Sequence, residues 1–348
     1  MPDREHLTFA LTLHGAIASD PTRNACWSPY SVASALGMLA HAARGETERE
    51  LVALLGSDNA KLLKASDVGD DAEFAVANTL WSWDALPLNE DFLVELGGWP
   101  GGKSRPAPFA EDPDGARKLI NADVADTTRG LIPELLPPGT VTTETVASLV
   151  NALYLKCGWT EEFPAHDTAP RPFRGVGDVP TMRLESTLRY GQAAGWEAVA
   201  LAARGGVEAV VLLPSDQLTG TEGVPEALES LEWQRIELFL PKLDLTVPAV
   251  LGDALREVGV RKVFTQEADL TGLSPDPRLL VDEVVHEAVL RLDEQGFEGA
   301  AATAVMMRLT SFVEHPPPLT VRVDRPYLLL VRHAETGAVY FLAQVVAP

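Results

Sequence analysis

The stretch Gly97, Gly98, Trp99, Pro100, Gly101, Gly102, Lys103, Ser104 matches the phosphate-binding pattern GxxxxGK[ST]. In a nucleotide site that pattern lies between a strand and a helix whose first N–H groups meet the phosphates. The flanks here are of the wrong kind: Asn89 to Leu96 reads as a helix upstream, and Arg105, Pro106, Ala107 and Pro108 forbid a helix immediately downstream. A flexible turn is the expectation. The seven histidines form no HxxxH or HExxH pair, so no metal or other cofactor is expected. A GxSxG nucleophile elbow is missing, and no Ser/His/Asp set can be nominated. These residue types point away from an enzyme.

The most informative stretch is Leu290 to Ser311, LRLDEQGFEGAAATAVMMRLTS, because its halves favour different structures. Val289 to Leu292 alternates like a strand, then Asp293, Glu294 and Gln295 lead to Gly296, where the backbone can hinge. Beyond it, Ala300, Ala301 and Ala302 favour helix while Thr303 and Val305 favour strand. Local conflict of this kind is one mark of a segment with two states, while on this segment alone an alanine-rich run after Glu298 reads as an ordinary helix start.

The elements that would position such a segment are legible on both sides. MPDREHLTFALTLHGAIAS reads as an amphipathic helix with early acids, not as a signal peptide. In CWSPYSVASALGMLAHAARGETERELVALLG, Ser28 caps a helix that tolerates Pro29 in its first turn, with Val32, Ala35, Leu36, Leu39 and Ala40 as an apolar stripe. Leu149, Val150, Ala152, Leu153 and Leu155 read as a strand covered on both faces. The last residues, from Val321, form a hairpin of two buried strands turning at Glu335, Thr336 and Gly337. Helical stripes come early and strands later, without regular βαβ alternation and without a linker, which gives one mixed α+β domain over residues 1–348.

Composition narrows the partners. The formal net charge is -22 and the isoelectric point about 4.7, which excludes a nonspecific phosphate-backbone partner, so neither nucleic acid nor an anionic membrane is expected. No stretch approaches a transmembrane helix. Cys26 and Cys157 read as two buried thiols and not as a disulfide scaffold.

Four stretches, in order, resemble the serpins: the SPxS segment and its helix from Cys26 to Gly56; VNALYLKCGWTEEF from Val150 to Phe163; LPKL from Leu240 to Leu243 with VVHEAVLRLDEQG from Val284 to Gly296; and the terminal hairpin, with Tyr327 in the usual DRPF phenylalanine position. Ser57 to Ala72 is short and charged where many relatives carry a longer helix. The resemblance implies three β-sheets, about eight helices and an exposed reactive-centre loop over about 296–318. It implies a suicide-substrate inhibitor of a serine endopeptidase, in which loop cleavage traps the acyl-enzyme and the loop inserts as a strand between those at Val146 to Leu155 and Val281 to Leu292.

Alternation from Phe297 would put Phe297, Gly299, Ala301, Thr303 and Val305 on one face, and Glu298, Ala300, Ala302 and Ala304 on the other. The inward set buries no charge. A dozen inserted residues at ~1 kcal/mol per ladder bond plus apolar burial give ~10 to 20 kcal/mol, more than a domain's ordinary stability, so the uncleaved state must be held kinetically. Two residues depart from the family: Phe297, first to insert, stands where threonine or serine is usual, and Gly299 where alanine is. A bulky ring there would slow insertion, and a slow serpin is cleaved as a plain substrate; yet Phe297 is uncharged and β-favourable and Gly299 is small, so an inhibitor is still the expectation.

The family's control points map onto Lys242 and Glu294, a latch beside Trp159, and onto Ser28, Ser31, Asn151 and His286, a hydrogen-bonded cluster beneath the sheet. Counting about seventeen residues from Glu294 places the reactive bond at Thr310 and Ser311, with Leu309 and Arg308 as alternative baits. Arg308 would suit a trypsin-like pocket, Leu309 a chymotrypsin- or subtilisin-like slot and Thr310 an elastase-like one. Chymotrypsin-, elastase- or subtilisin-like targets are favoured over trypsin-like ones, with a cysteine protease as a further class. The competing reading is a non-inhibitory serpin that binds or stores. A monomer is expected; the start of the chain argues for the cytoplasm and family habit for the extracellular space. The excess of arginine over lysine suggests a GC-rich, bacterial genome.

Overall fold

A computed structural model of the chain describes residues 4–56, 68–69, 71–276, 279–281, 284–297 and 317–348. Seven α-helices stand among them: α1 (Arg4–Ile17), α2 (Pro29–Ala42), α3 (Gly45–Leu55), α4 (Glu90–Gly97), α5 (Pro113–Thr127), α6 (Val224–Glu229) and α7 (Gly252–Glu257). The strands are β1 (Ala25–Trp27), β2 (Ala72–Ser82), β3 (Gly102–Pro106), β4 (Ala147–Gly158), β5 (Ala169–Phe173), β6 (Gly177–Ala193), β7 (Trp196–Ala202) and β8 (Val207–Pro214). They continue with β9 (Glu232–Pro241), β10 (Leu243–Val250), β11 (Val285–Leu292), β12 (Gly296–Phe297), β13 (Leu319–Arg322), β14 (Tyr327–His333) and β15 (Val339–Val345).

Local chemistry accounts for the key starts and stops. The Ser28 hydroxyl accepts from Ser31 N at 3.1 Å, capping α2, and Pro29 occupies its first turn. The buried face of α2 is wider than the sequence stripe: Val32, Ala33, Leu36 and Met38 are buried, while Ala35, Leu39 and Ala40 are only half-buried. The glycine-rich run after α4 is a turn into a strand, not into a helix. A side chain on Gly102 would stand 1.8 Å from the Leu96 carbonyl, so the glycine serves a close backbone crossing. Lys103 then gives its ammonium to Asp123 at 2.9 Å.

One sheet runs β10-β11-β12-β4-β2-β3. The other expected sheets are continuous with each other, because the long β6 pairs with β9 over Thr181 to Tyr190 and with β7 over Arg189 to Ala193, joining nine strands into one ladder. The apolar faces of both ladders meet α1 and α2 in one large core. A second, smaller core lies across the six-stranded sheet, where Ala116, Ile120 and Val124 of α5 cover Ala77, Val150, Ala152 and Val289. Asp123 fastens that helix, accepting from Thr79 Oγ1 at 3.1 Å and from Arg105 at 3.1 Å besides Lys103.

Candidate functional site

The six-stranded sheet is nearly divided in two. Among the described residues β4 and β11 are joined only through the two residues of β12, with Gly296 opposite Gly158, and Phe297 opposite both Cys157 and Leu292. Beneath that junction lies a cleft lined by Ser28, Ser31, Asn151, His286 and Ala288, and closed by Thr128, Leu131 and Ile132 after α5.

The junction differs from the expectation that an exposed loop begins at Gly296. Both residues of β12 are buried. Gly296 has φ 153°, and a side chain on it would come within 2.2 Å of the Cys157 carbonyl, so only glycine lets the chain enter here. Phe297 is 2% exposed, with its ring centroid 4.8 Å from that of Trp159. Its bulk is therefore already accommodated between β4 and β11 in the uncut chain. The reason is local: Trp159 and Phe163, themselves edge to face, leave a site that an aromatic ring fills better than a hydroxyl.

Several bonds fix the turn between β11 and β12. Trp159 donates Nε1–H to the Asp293 carbonyl at 2.9 Å and its backbone N–H to the Gln295 carbonyl at 2.9 Å, and Phe163 N–H reaches the Glu294 carbonyl at 2.9 Å. The Asp293 carboxylate accepts from Gln295 N at 2.9 Å and Gly296 N at 3.3 Å, a side-chain-closed turn. Lys242 and Glu294 come together at 2.8 Å, and Thr168 Oγ1 donates to the other Glu294 oxygen at 2.8 Å. Burial raises the Glu294 carboxyl, but the bonds from Lys242 and Thr168 outweigh it and hold the group below its ordinary value. Thr168, in an irregular segment, gave no sequence signal.

Below, Ser28 N–H donates to His286 Nε2 at 3.0 Å. Burial pushes His286 down to about 4, so the ring is neutral at pH 7 and can accept. Ser28, Ser31 and His286 are thus joined, whereas Asn151 donates to Asn78 Oδ1 at 2.5 Å on β2, and its own Oδ1 has no partner among the described residues. Asn151 lines the same cleft but is not bonded to His286. Asn78, polar and fully buried in the apolar run of β2, was the signal the sequence offered for that contact. Cys157, beside Phe297 on β4, and Cys26 are free and buried, and burial pushes each thiol up to about 12, which leaves them unreactive. Gly299, Ala301, Thr303, Val305, Arg308, Leu309, Thr310 and Ser311 lie outside the described residues.

A family model described as Serpin (serine protease inhibitor) matches residues 4–348. Iripin-2 of Ixodes ricinus is 31% identical over 366 residues, spanning 97% of this chain and 91% of the relative. Leukocyte elastase inhibitor A of Rattus norvegicus is 31% identical over 372 residues, 98% of this chain and 97% of the relative. These animal proteins lend no support to a bacterial origin. Among solved structures, uncleaved ovalbumin superposes with a TM-score of 0.86 at 24% identity over 99% of both chains, and thyroxine-binding globulin with 0.85 at 22% over 99% and 97%.

Proposed function

Because this chain belongs to the serpin family, we propose that it inhibits a serine endopeptidase as a suicide substrate and is not itself an enzyme. The observation that carries the reading is the double pairing of β12. Phe297 is antiparallel to both β4 and β11, so each residue further into the loop steps one residue back along both strands. Continued in that register, Gly299 would face Leu155 and Leu290, Ala301 would face Leu153 and Ala288, Thr303 would face Asn151 and His286, and Val305 would face Leu149 and Val284. Those positions turn inward with Phe297. Thr303 would bring a hydroxyl to the Asn151 oxygen that lacks a partner.

The opposite face supports the reading as well. Ala300, Ala302 and Ala304 would pass over Val289, Ala152 and Val150, which α5 covers, so small side chains are what that space admits. Glu298 would fall beside Lys156 and Arg291, clear of the helix. In this mechanism the protease attacks at Thr310 and Ser311, or at Leu309 or Arg308. Release of the loop lets it propagate down the cleft, carrying the acyl-enzyme before water can hydrolyse it.

Leu309 and Thr310 suit chymotrypsin-, subtilisin- or elastase-like pockets, and the relatives named as elastase inhibitors support the last. A cysteine endopeptidase also forms an acyl-enzyme, so it is the second class to assay. The test is Gly299→Glu. It would drive a carboxylate between Leu155 and Leu290, 7% and 3% exposed, and insertion should stall. Incubation with elastase, chymotrypsin, subtilisin and trypsin, with denaturing gels and intact mass as readouts, should show a covalent complex for the native chain and cleavage alone for the variant. A complex formed equally well by Gly299→Glu would refute insertion; cleavage without complex by the native chain would shift the reading to a binding or storage protein.

A further inference from the structure

Along β11 the side chains alternate between the two cores. Ala288, Leu290 and Leu292 belong to the large one, whereas Val285 and Val289 turn to the side that α5 covers. Glu287 falls between those two valines, on the covered side. It lines the cleft between β4 and β11 together with Ala152, Thr128, Leu131 and Ile132, and Pro248 of β10 stands opposite it. A carboxylate is out of place in such company.

No hydrogen bond or ion pair reaches Glu287 from the described residues. The charges on the elements around it are committed elsewhere. Arg129, just after α5, is paired with Glu73 and lies over the Tyr154 ring at 5.0 Å. Arg117 is bonded to Asp114 at 2.9 Å and Glu134 at 2.6 Å, and Asp123 holds Lys103 and Arg105. On this face β4 sets Val150, Ala152 and Tyr154, and β10 sets Thr246 and Pro248, none of them a cation. Arg291, bonded to Asp244, and Lys156 lie four residues further along the strands, ~13 Å away. His286 turns to the opposite face, toward Ser28.

Burial among these apolar neighbours raises the Glu287 carboxyl above its ordinary value. The group is only half-buried, because solvent still reaches it through the cleft. A strand filling that cleft would close the access, and Ala302, which the register sets beside Glu287, brings no side-chain donor. We propose that Glu287 is a brake on insertion: while ionised it opposes the closing of the cleft around it, so that the uncut chain does not relax early, and it takes up a proton from solvent as the strand passes. This is a positioning role, since Glu287 touches no reacting atom. Above its raised value the carboxyl is ionised and the brake is on; below it the group is neutral and the brake is off. A residue that breaks the pattern of its strand at the point where the sheet must open is where function overrides packing.

The inference rests on the inhibitory reading, and the readouts separate the two. Glu287→Gln keeps the shape and removes the charge, whereas Glu287→Asp keeps the charge. Each is incubated from ~pH 5 to ~pH 8 with one serine endopeptidase that cuts the loop, and compared with the native chain at the same pH so that the enzyme's own profile cancels. Two quantities are read: the share of chain captured in covalent complex against that merely cleaved, and the rate at which cleaved chain becomes resistant to denaturant. At ~pH 8 the glutamine variant should insert about threefold faster or more and shift the partition toward complex, and this advantage should shrink toward ~pH 5. The aspartate variant should keep the native profile. The uncut glutamine variant should unfold at a denaturant midpoint no lower than native; a lower one would show the carboxylate supporting the fold and refute the brake. Equal rates for native and glutamine chains at every pH, or a difference that does not change with pH, would overturn the proposal alone. A native chain that never gains resistance after cleavage would overturn it together with the insertion reading.

Discussion

Replacing Phe297 by alanine tests whether the hinge is docked before any protease arrives. The ring is 2% exposed and 4.8 Å from Trp159, so its removal leaves a cavity between strands already in contact. Phe→Ala at such a site costs ~3 to 5 kcal/mol, transfer and cavity together, with the aromatic pair included. At ~2.1 cal/mol/K per residue, the unfolding entropy of 348 residues is ~0.7 kcal/mol/K, so the melting temperature of the uncut variant should fall ~4 to 7 °C. The assay is a thermal melt of uncleaved protein, native and variant, at one fixed scan rate, because release of the loop makes unfolding a kinetic event. Had Phe297 waited outside the sheet until cleavage, the uncut chain would not notice its loss. A melting temperature within ~1 °C of native would refute the docked hinge and restore the ring as an obstacle to insertion.

Glu294→Gln keeps the shape of the latch but removes the charge that Lys242 and Thr168 bind; Lys242 is 40% exposed and screened, so ~1 to 2 kcal/mol should be lost, read as an earlier denaturant midpoint. Since its carboxyl is held below the ordinary 4.5, the latch contributes above that pH and weakens as pH falls through the depressed value. His14 and His286 act in the same direction: each accepts a hydrogen bond, from Trp27 Nε1 at 3.2 Å and Ser28 N at 3.0 Å, and burial pushes each down to about 4. Their contribution is complete above pH 6.5 and falls away toward pH 4, ~3 kcal/mol apiece, so denaturant midpoints across that range should drop, and His14→Phe should flatten the slope.

Much of the architecture was readable from residues alone. Ser28 before Pro29 announced α2, the prolines after Lys103 excluded a phosphate loop, and alternation around Phe297 gave the face it occupies. Depth was not readable. Whether Gly296 lies in or out of the sheet depends on the Cys157 carbonyl, more than a hundred residues away, and on an aromatic site assembled from Trp159 and Phe163. The same holds for Asn151, whose partner Asn78 comes from a different strand. Long-range pairing decides these points, and propensity is blind to it.

The docked hinge also bears on how fast a cut loop can move. Forming a new strand from a free chain requires a nucleus, with the closure entropy of the intervening segment spent before the first pair forms. Phe297 is already paired on both sides, and Gly296 with Gly158. Once the bond is cut, the strand grows from an existing end, one residue at a time, without a search for register; the delay that would let water reach the acyl bond is confined to opening the cleft ahead of the growing strand.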